Sequence, residues 1–214
     1  CEYSALLYSE RHGTMTRRDS LSNHPLLRSL LKRIEEGKDL PLQQKADLRS
    51  LPTHYLKASY VHNMLRRTIG ESAFASLYRL YAERFAGRTA TLQDFLHVAE
   101  ECSGMRLGWF FDQWVKKRGV PQLRVYAVKS VATEDRWRTH GRIRLLGYEK
   151  YTTAVTIGAV LPDTMLTITV MLGTDTAGTY RNDLPFTIIS QQQPQRVLLD
   201  PRGDLLRIHK LAPK

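Results

Sequence analysis

The sequence predicts an α + β protein in which a helical segment is followed by an antiparallel β-sandwich. Before Gly119-Val120-Pro121 apolar residues recur at helical spacing, as in the stripe of Leu26, Leu27, Leu30, Leu31 and Ile34. After that point apolar and polar residues alternate, as they do from Leu166 to Leu172. We therefore expect two domains, a helical one over 1–119 and a β-sandwich over 120–214.

Glycines and capping residues mark the ends of the expected helices. We predict helices over 2–11, 25–36, 55–69, 72–85, 91–102 and 107–115. The stretch 39–52 has a weaker pattern, and a short helix within a longer loop is one interpretation. Gly70 follows one helix directly, and Thr91-Leu92-Gln93-Asp94 resembles a capping box in which Asp replaces the usual Glu.

The second half contains short runs of alternating or apolar residues that predict strands. These runs cover 123–127, 143–148, 153–161, 165–172, 185–189 and 196–199, and a further short strand is expected at Leu205, Leu206 and Ile208. Asp200-Pro201-Arg202-Gly203 has the residues of a type I turn. Six or seven strands without intervening helices are typical of an antiparallel sandwich.

Composition and charge exclude several classes of protein. A hydrophobic content of 42% favours a packed core over disorder, and no run approaches the roughly 20 apolar residues of a membrane span. The net charge of +11 is spread evenly, with 19 Lys and Arg against 13 Asp and Glu in 1–119 and 13 against 8 in 120–214. Nucleic-acid-binding proteins concentrate basic residues on one face, so we expect no nucleic-acid partner.

The two cysteines do not make a disulfide framework. Cys102 lies in a helical apolar pattern, so we expect a buried structural thiol. Cys1 opens the chain within a helical pattern. A mature lipoprotein with an acylated Cys1 is one explanation, and a segment from inside a longer protein is the other. The second is favoured, because lipoproteins usually begin with a polar tether.

Four stretches of the sequence carry a resemblance to a known family. They are Glu-Tyr-Ser-Ala-Leu-Leu-Tyr at 2–8, Tyr55-Leu56-Lys57-Ala58, Phe-Ala-Gly-Arg-Thr-Ala-Thr at 85–91, and Trp-Phe-Phe-Asp-Gln-Trp at 109–114. In this order they resemble the aminopeptidase N family of zinc peptidases. The resemblance is strong over 1–125 and weaker beyond. It implies the end of a metallopeptidase catalytic domain, followed by a β-sandwich.

The resemblance implies a role for Tyr55. In the family the Tyr of Tyr-x-Lys-Gly donates a hydrogen bond to the oxyanion of the tetrahedral intermediate, a role that suits a phenol because it keeps its proton at neutral pH. The alternative is a helix-start aromatic packed on its neighbours. Ala58 stands where the family has Gly, which narrows any gap beside a substrate backbone. Lys57 fits a structural ion pair as well as a substrate contact.

The zinc motif of the family is absent from this sequence. His-Glu-x-x-His places two ligands on one helix face with the general base between them, but none of the seven histidines precedes Glu and no two are four apart. His54 and His62 could line one cleft, but surface or core positions are the simpler interpretation. We therefore expect no metal in this chain and no activity from it alone.

The resemblance also implies the partners and cofactor of the full-length protein. These are zinc, a peptide substrate and a missing N-terminal segment that carries the zinc ligands. The faces of 1–12 and 55–70 that would pack on zinc-binding helices should then be exposed or covered by a partner. A secreted, periplasmic or cell-surface location is favoured. The alternative function is a non-catalytic scaffold or protein-interaction module derived from the same family, which predicts the same missing ligands.

Overall fold

The computed structural model describes residues 2–13, 21, 23–45, 47–48, 50–147, 150–174 and 178–208. The chain divides into two compact units, Cys1–Gly119 and Val120–Lys214. Helices make up the regular structure of the first unit, and antiparallel strands make up that of the second. The predicted fold class, a helical segment followed by a β-sandwich, is confirmed.

Six helices lie in the described part of the first unit: α1 (Glu2–Arg11), α2 (Leu27–Glu35), α3 (Leu51–Ile69), α4 (Glu71–Phe85), α5 (Leu92–Ser103) and α6 (Gly108–Trp114). Each matches a predicted helix. The largest difference is at α3, which begins four residues earlier than expected. No helix in the described residues is both long and apolar enough to cross a membrane.

The early start of α3 has a local cause. The Ser50 backbone N–H donates to Asp47 Oδ1 at 2.7 Å, which turns the chain into the helix. Pro52 follows in the first turn, where its missing N–H has no helical partner to lose. The described residues of 39–50 form turns and irregular chain, so the short helix considered there is not found among them.

Helix α3 packs against α1, α2 and α4, and it supplies much of the core of the first unit. At its end Gly70 has φ of +85°, which lets α4 start at the next residue. The expected capping box is present at α5, where Asp94 N–H donates to Thr91 Oγ1 at 3.2 Å and Thr91 N–H donates to Asp94 Oδ2 at 2.8 Å.

Two side chains differ in burial from the expectation. The helical spacing of Trp109, Phe110, Phe111 and Trp114 favours a core stripe, but Trp109 is 38% exposed, whereas the other three are buried. Cys102 is half-buried rather than buried, and partial burial raises the pKa of its thiol. Such a thiol carries little thiolate at neutral pH and is correspondingly unreactive.

The second unit consists of two sheets. Its strands in the described residues are β1 (Gln122–Ala132), β2 (Trp137–Leu146), β3 (Thr153–Val160), β4 (Met165–Thr174), β5 (Tyr180–Arg181), β6 (Asp183–Ser190) and β7 (Arg196–Leu199). One sheet has the order β1-β2-β6 and the other β5-β4-β3-β7, and all of these pairs are antiparallel. The buried core draws on both sheets, with Ile143, Leu145, Val155, Ile157, Leu172 and Phe186.

Four strand predictions need correction. The second half of β1 (128–132), the first half of β2 and all of β5 were missed. The strand expected at 205–208 is wrong, because Leu205 and Leu206 are buried without strand pairing and Ile208 makes one isolated parallel bridge to Gln122. The turn before it is confirmed, since Gly203 N–H donates to Asp200 O at 3.0 Å.

Candidate functional site

The first unit contains an open cavity of about 530 Å³ that is lined by residues of five helices and of the adjoining loops. The wall on α3 includes Tyr55, Ala58, Val61, His62 and Leu65. The other walls come from α1, α4, the start of α5, α6 and the loop residues Leu42 and Gln43. The volume is within the range of small-molecule sites in proteins.

Tyr55 lies in the first turns of α3 at the edge of this cavity. Its side chain is 49% exposed, and Ala58, one turn further along the same face, also lines the cavity. Ser59 Oγ donates to the Tyr55 carbonyl at 3.1 Å, a backbone contact that leaves the phenol unaffected. Tyr55 is therefore both half-exposed and part of the cavity lining, unlike an aromatic residue sealed into a core.

Lys57 belongs to a buried structural ion pair. Its Nζ lies 2.8 Å from Asp39 Oδ2 and donates to the Leu40 carbonyl at 3.1 Å, and the Lys57 side chain is only 2% exposed. The Gly119 backbone N–H donates to the same Asp39 oxygen at 2.9 Å. Lys57 does not line the large cavity, so a direct substrate contact is not supported.

Sequence reasoning missed the segment Asp39–Gln43, which we call the strap. Lys57 holds one end of the strap, and Gln43 N–H donates to the Val115 carbonyl at 3.2 Å at the other end. His54 Nε2 lies 3.2 Å from Leu42 O between them. No local sequence motif predicts this arrangement, because Asp39 and Lys57 are 18 positions apart.

The structure does not bring His54 and His62 into one cleft. His54 lines a small void beside Asp39 and Lys57, and burial lowers its pKa. His62 lines the large cavity, where burial lowers its pKa to about 4, so its ring is neutral at pH 7. The Tyr78 hydroxyl lies 2.9 Å from His62 Nδ1, and Tyr3 stacks on the ring at 5.6 Å.

The described residues do not fit a zinc site. Protein zinc sites use at least three His, Cys, Asp or Glu ligands that converge on one point. Within the described ranges no group of three such residues is close enough to hold a metal ion. The full sequence also lacks His-Glu-x-x-His.

Two aromatic residues of α1 and α3 are exposed, since Tyr8 is 65% exposed and Tyr55 is 49% exposed. Leu56, Val61 and Leu65 of α3 are buried. Val61 and Leu65 line the cavity instead of an open surface.

Comparison with known proteins identifies the family to which the chain belongs. The family model described as the peptidase family M1 domain matches residues 8–114, half of the chain. The chain belongs to peptidase family M1. This M1 chain is 33% identical to aminopeptidase N of Lactococcus lactis subsp. lactis over 67 residues, which cover 31% of the chain and 8% of that protein.

A solved structure shares the fold of the M1 chain. The crystal structure of Legionella pneumophila aminopeptidase A in complex with aspartic acid matches with a TM-score of 0.63 and 17% sequence identity. The match covers 99% of the M1 chain and 23% of the Legionella chain. The M1 chain thus spans a small part of both relatives.

Proposed function

We propose that this chain forms one side of the active site of a zinc aminopeptidase, which hydrolyses the N-terminal peptide bonds of its substrates. In this proposal Tyr55 donates a hydrogen bond to the substrate carbonyl oxygen as negative charge develops on it. The observation that carries the proposal is the half-exposed phenol at the edge of the cavity in an M1 chain. Both relatives described above are aminopeptidases by name.

The chemistry of Tyr55 follows from its position on a helix. A donor that a helix holds in place needs no reorganisation when charge appears on the substrate, and donors of this kind contribute about 3–4 kcal/mol to transition-state stabilisation in other enzymes. The strap forms the neighbouring part of the cavity wall. It is held on the same helix, since His54 and Lys57 bind the carbonyl and carboxylate oxygens of the strap. The position of the phenol relative to that wall is thereby restricted.

Zinc and its protein ligands are part of this proposal only because the chain belongs to the family. Members of the family are zinc enzymes, and the described residues of this chain do not offer the ligands. We infer that another segment of the full-length protein supplies them and that the present chain alone does not hydrolyse peptides. The assigned contributions of this chain are therefore the phenol of Tyr55 and the cavity wall.

The test of the proposal is Tyr55→Phe in the protein encoded by the complete reading frame. The substitution removes only the phenol oxygen, so peptide binding should change little. We expect kcat for aminoacyl reporters to fall about 100- to 1,000-fold, while KM stays within about twofold, as for loss of one oxyanion donor.

Tyr8→Phe is the matched control. Tyr8 is also an exposed tyrosine, but it does not line the cavity. The control should retain full kcat, and both variants should hold as much zinc as the unaltered protein. A Tyr55→Phe enzyme with unaltered kcat would remove the assigned role.

A further inference from the structure

The outward face of the sheet β1-β2-β6 carries a row of basic residues. Along β2 exposed and buried residues alternate, and the exposed ones are Arg138, His140, Arg142 and Arg144. Alternate residues of a strand point to the same face and lie about 7 Å apart, so the row is about 20 Å long. Four successive outward positions of β2 are therefore basic.

A β-bulge in β1 adds a lysine to the same face. Arg124 lies opposite Arg144, and Lys129 lies opposite His140. In a regular strand, two residues five positions apart point to opposite faces. The register of the β1–β2 pair shifts just before Lys129, however, and Ala127 has φ of +52°. The extra residue of the bulge returns Lys129 to the face of Arg124.

We call the outward side chains of these three strands the basic face. Among the paired residues, its charged members are Arg124, Lys129, Arg138, Arg142, Arg144 and Asp183. The turn between β1 and β2 holds Glu134 and Asp135 beyond the paired residues. Five cations and one anion leave an excess of four positive charges on this face, whereas the whole of 120–214 has an excess of five. The positive charge is even along the sequence but is concentrated on one face of the sheet.

Protection of a sheet edge explains only part of this pattern. Charged side chains on edge strands prevent pairing with other chains, and β1 is an edge strand. β2 is the central strand of its sheet, so its basic residues protect no edge. Like charges directly opposite each other destabilise a sheet, and Arg124 opposite Arg144 is such a pair. A negatively charged partner would offset that repulsion.

Asp183 shows how this face holds a carboxylate. The Tyr126 hydroxyl and Arg144 Nε each donate to Asp183 Oδ2 at 2.6 Å. Arg142 Nε donates to Oδ1 at 2.9 Å. The hydrogen bonds from Tyr126, Arg144 and Arg142 lower the pKa of Asp183 to about 2. The other three Lys and Arg side chains of the basic face have no carboxylate partner among the described residues.

The composition of the basic face favours a polypeptide over a nucleic acid. Proteins that bind single strands stack the bases on aromatic rings. The only Phe, Tyr or Trp among the outward paired residues is Tyr126, which is half-buried and has the Arg144 guanidinium 5.0 Å from the centre of its ring. Val131 and Ile189, 41% and 50% exposed, lie on either side of Arg138. Arginine is enriched, beside apolar groups, in protein–protein interfaces.

We propose that the basic face binds an acidic segment of a partner protein. In an extended segment, alternate side chains lie about 7 Å apart, as they do in the row on β2. Asp or Glu at every second position would therefore place one carboxylate near each basic residue of the row. Guanidinium groups suit this role because their planar fork matches the two oxygens of a carboxylate. The proposal does not depend on Tyr55 or on peptidase activity.

Binding of a synthetic peptide to the 214-residue chain tests the proposal. The labelled probe is a peptide in which six Glu residues alternate with Ser, and the matched probe has Gln in place of each Glu. Fluorescence anisotropy at low ionic strength measures both affinities. We expect the Glu peptide to bind at least tenfold more tightly than the Gln peptide, and the difference to shrink as salt screens the exposed charges.

Two double variants locate the binding. Lys129→Thr with Arg138→Thr removes two cations from the basic face, while Arg196→Thr with Arg202→Thr removes two from exposed positions outside it. Both variants lower the net charge of the chain by the same amount. The first should weaken binding of the Glu peptide at least tenfold, and the second should change it less than twofold. Circular dichroism checks that both variants are folded.

Four results would overturn the proposal. Equal affinity for the Glu and Gln peptides would mean that carboxylates are not recognised. Equal losses in the two double variants would mean that binding follows only the net charge of the chain. Tighter binding of an oligothymidylate with six phosphates, or of phosphatidylserine vesicles, would assign the face to a nucleic acid or a membrane. Binding by the 214-residue chain but not by the protein from the complete reading frame would mean that another segment of the same protein covers the face.

Discussion

Lys57 and Asp39 form the most deeply buried ion pair among the described residues, with side chains 2% and 3% exposed. Such a pair gives little net stability compared with apolar residues, but loss of one partner leaves a buried charge unpaired. Asp39 Oδ1 is also buried, and no hydrogen-bond donor reaches it within the described part of the chain. The carboxylate therefore depends on Lys57 and on the Gly119 N–H.

Replacement of Lys57 by Met should be strongly destabilising. Met fills the volume of the Lys stem but leaves the Asp39 carboxylate without its cation, so we expect a loss of about 3–5 kcal/mol in the free energy of unfolding. Urea unfolding of the 214-residue chain, followed by circular dichroism, measures the loss.

Lys116→Met is the control for this measurement. Lys116 pairs with Asp112 at 2.6 Å, but both side chains are about half exposed, at 46% and 59%. An exposed pair of this kind contributes about 0.5 kcal/mol or less. Equal losses in the free energy of unfolding of the two Lys→Met variants would contradict the assignment of the Lys57–Asp39 pair as the interaction that holds the strap on α3.

His62 should make stability depend on pH. Its pKa is about 4 in the folded chain because of burial, and about 6.5 is usual for an unfolded chain. Between these values the unfolded state binds a proton that the folded state does not, so this contribution to stability is complete above pH 6.5 and is lost as pH falls toward 4. We expect the unaltered chain to lose about 2 kcal/mol more than His62→Gln between pH 7 and pH 5.

Urea unfolding at the two pH values measures this difference. His97→Gln provides the control, since His97 is an exposed histidine on α5. The control variant should follow the pH dependence of the unaltered chain. If His62→Gln did the same, His62 would not be held neutral by burial.

At the scale of elements, the helices were predictable because their signals are local. The apolar stripe of α2, the capping box of α5 and Gly70 after α3 each appear within one stretch of sequence. The first half of β2 has no such signal. Arg138, His140 and Arg142 alternate there with Thr139 and Gly141, and pairing with β1 and β6 on both sides makes this stretch a strand. Tertiary pairing, not propensity, decides its structure.

The candidate site could be predicted only in part for the same reason. A resemblance carried by four stretches of sequence identified Tyr55, and the structure places it at the edge of a cavity. The cavity itself depends on five helices and the strap converging, with Tyr3 and Phe111 more than 100 positions apart in the sequence. No window of sequence contains that information. The pairing of Lys57 with Asp39 was open from sequence and needed the fold to decide it.

At the scale of the whole molecule, the family of the chain indicates a peptidase reaction, whereas the residues present account for only part of its chemistry. The chain belongs to peptidase family M1 and spans 8% and 23% of two aminopeptidases that it resembles. Its sequence has no His-Glu-x-x-His, and the described residues offer no cluster of metal ligands. Under the proposed function, the metal and the phenol of Tyr55 come from different segments of the full-length protein.

The placement of the metal and the phenol on different segments predicts the behaviour of the purified chain. After incubation with zinc and dialysis, we expect the 214-residue chain to retain far less than one zinc per molecule, and to hydrolyse aminoacyl reporters no faster than a buffer blank. Metal analysis and a reporter assay measure the two quantities. The protein from the complete reading frame, treated in the same way, should hold zinc and be active, because tight zinc binding needs at least three converging ligands. Stoichiometric zinc in the short chain, or hydrolysis by it, would mean that residues 1–214 contain a metal site of their own, and the proposed function would then fail at its central step.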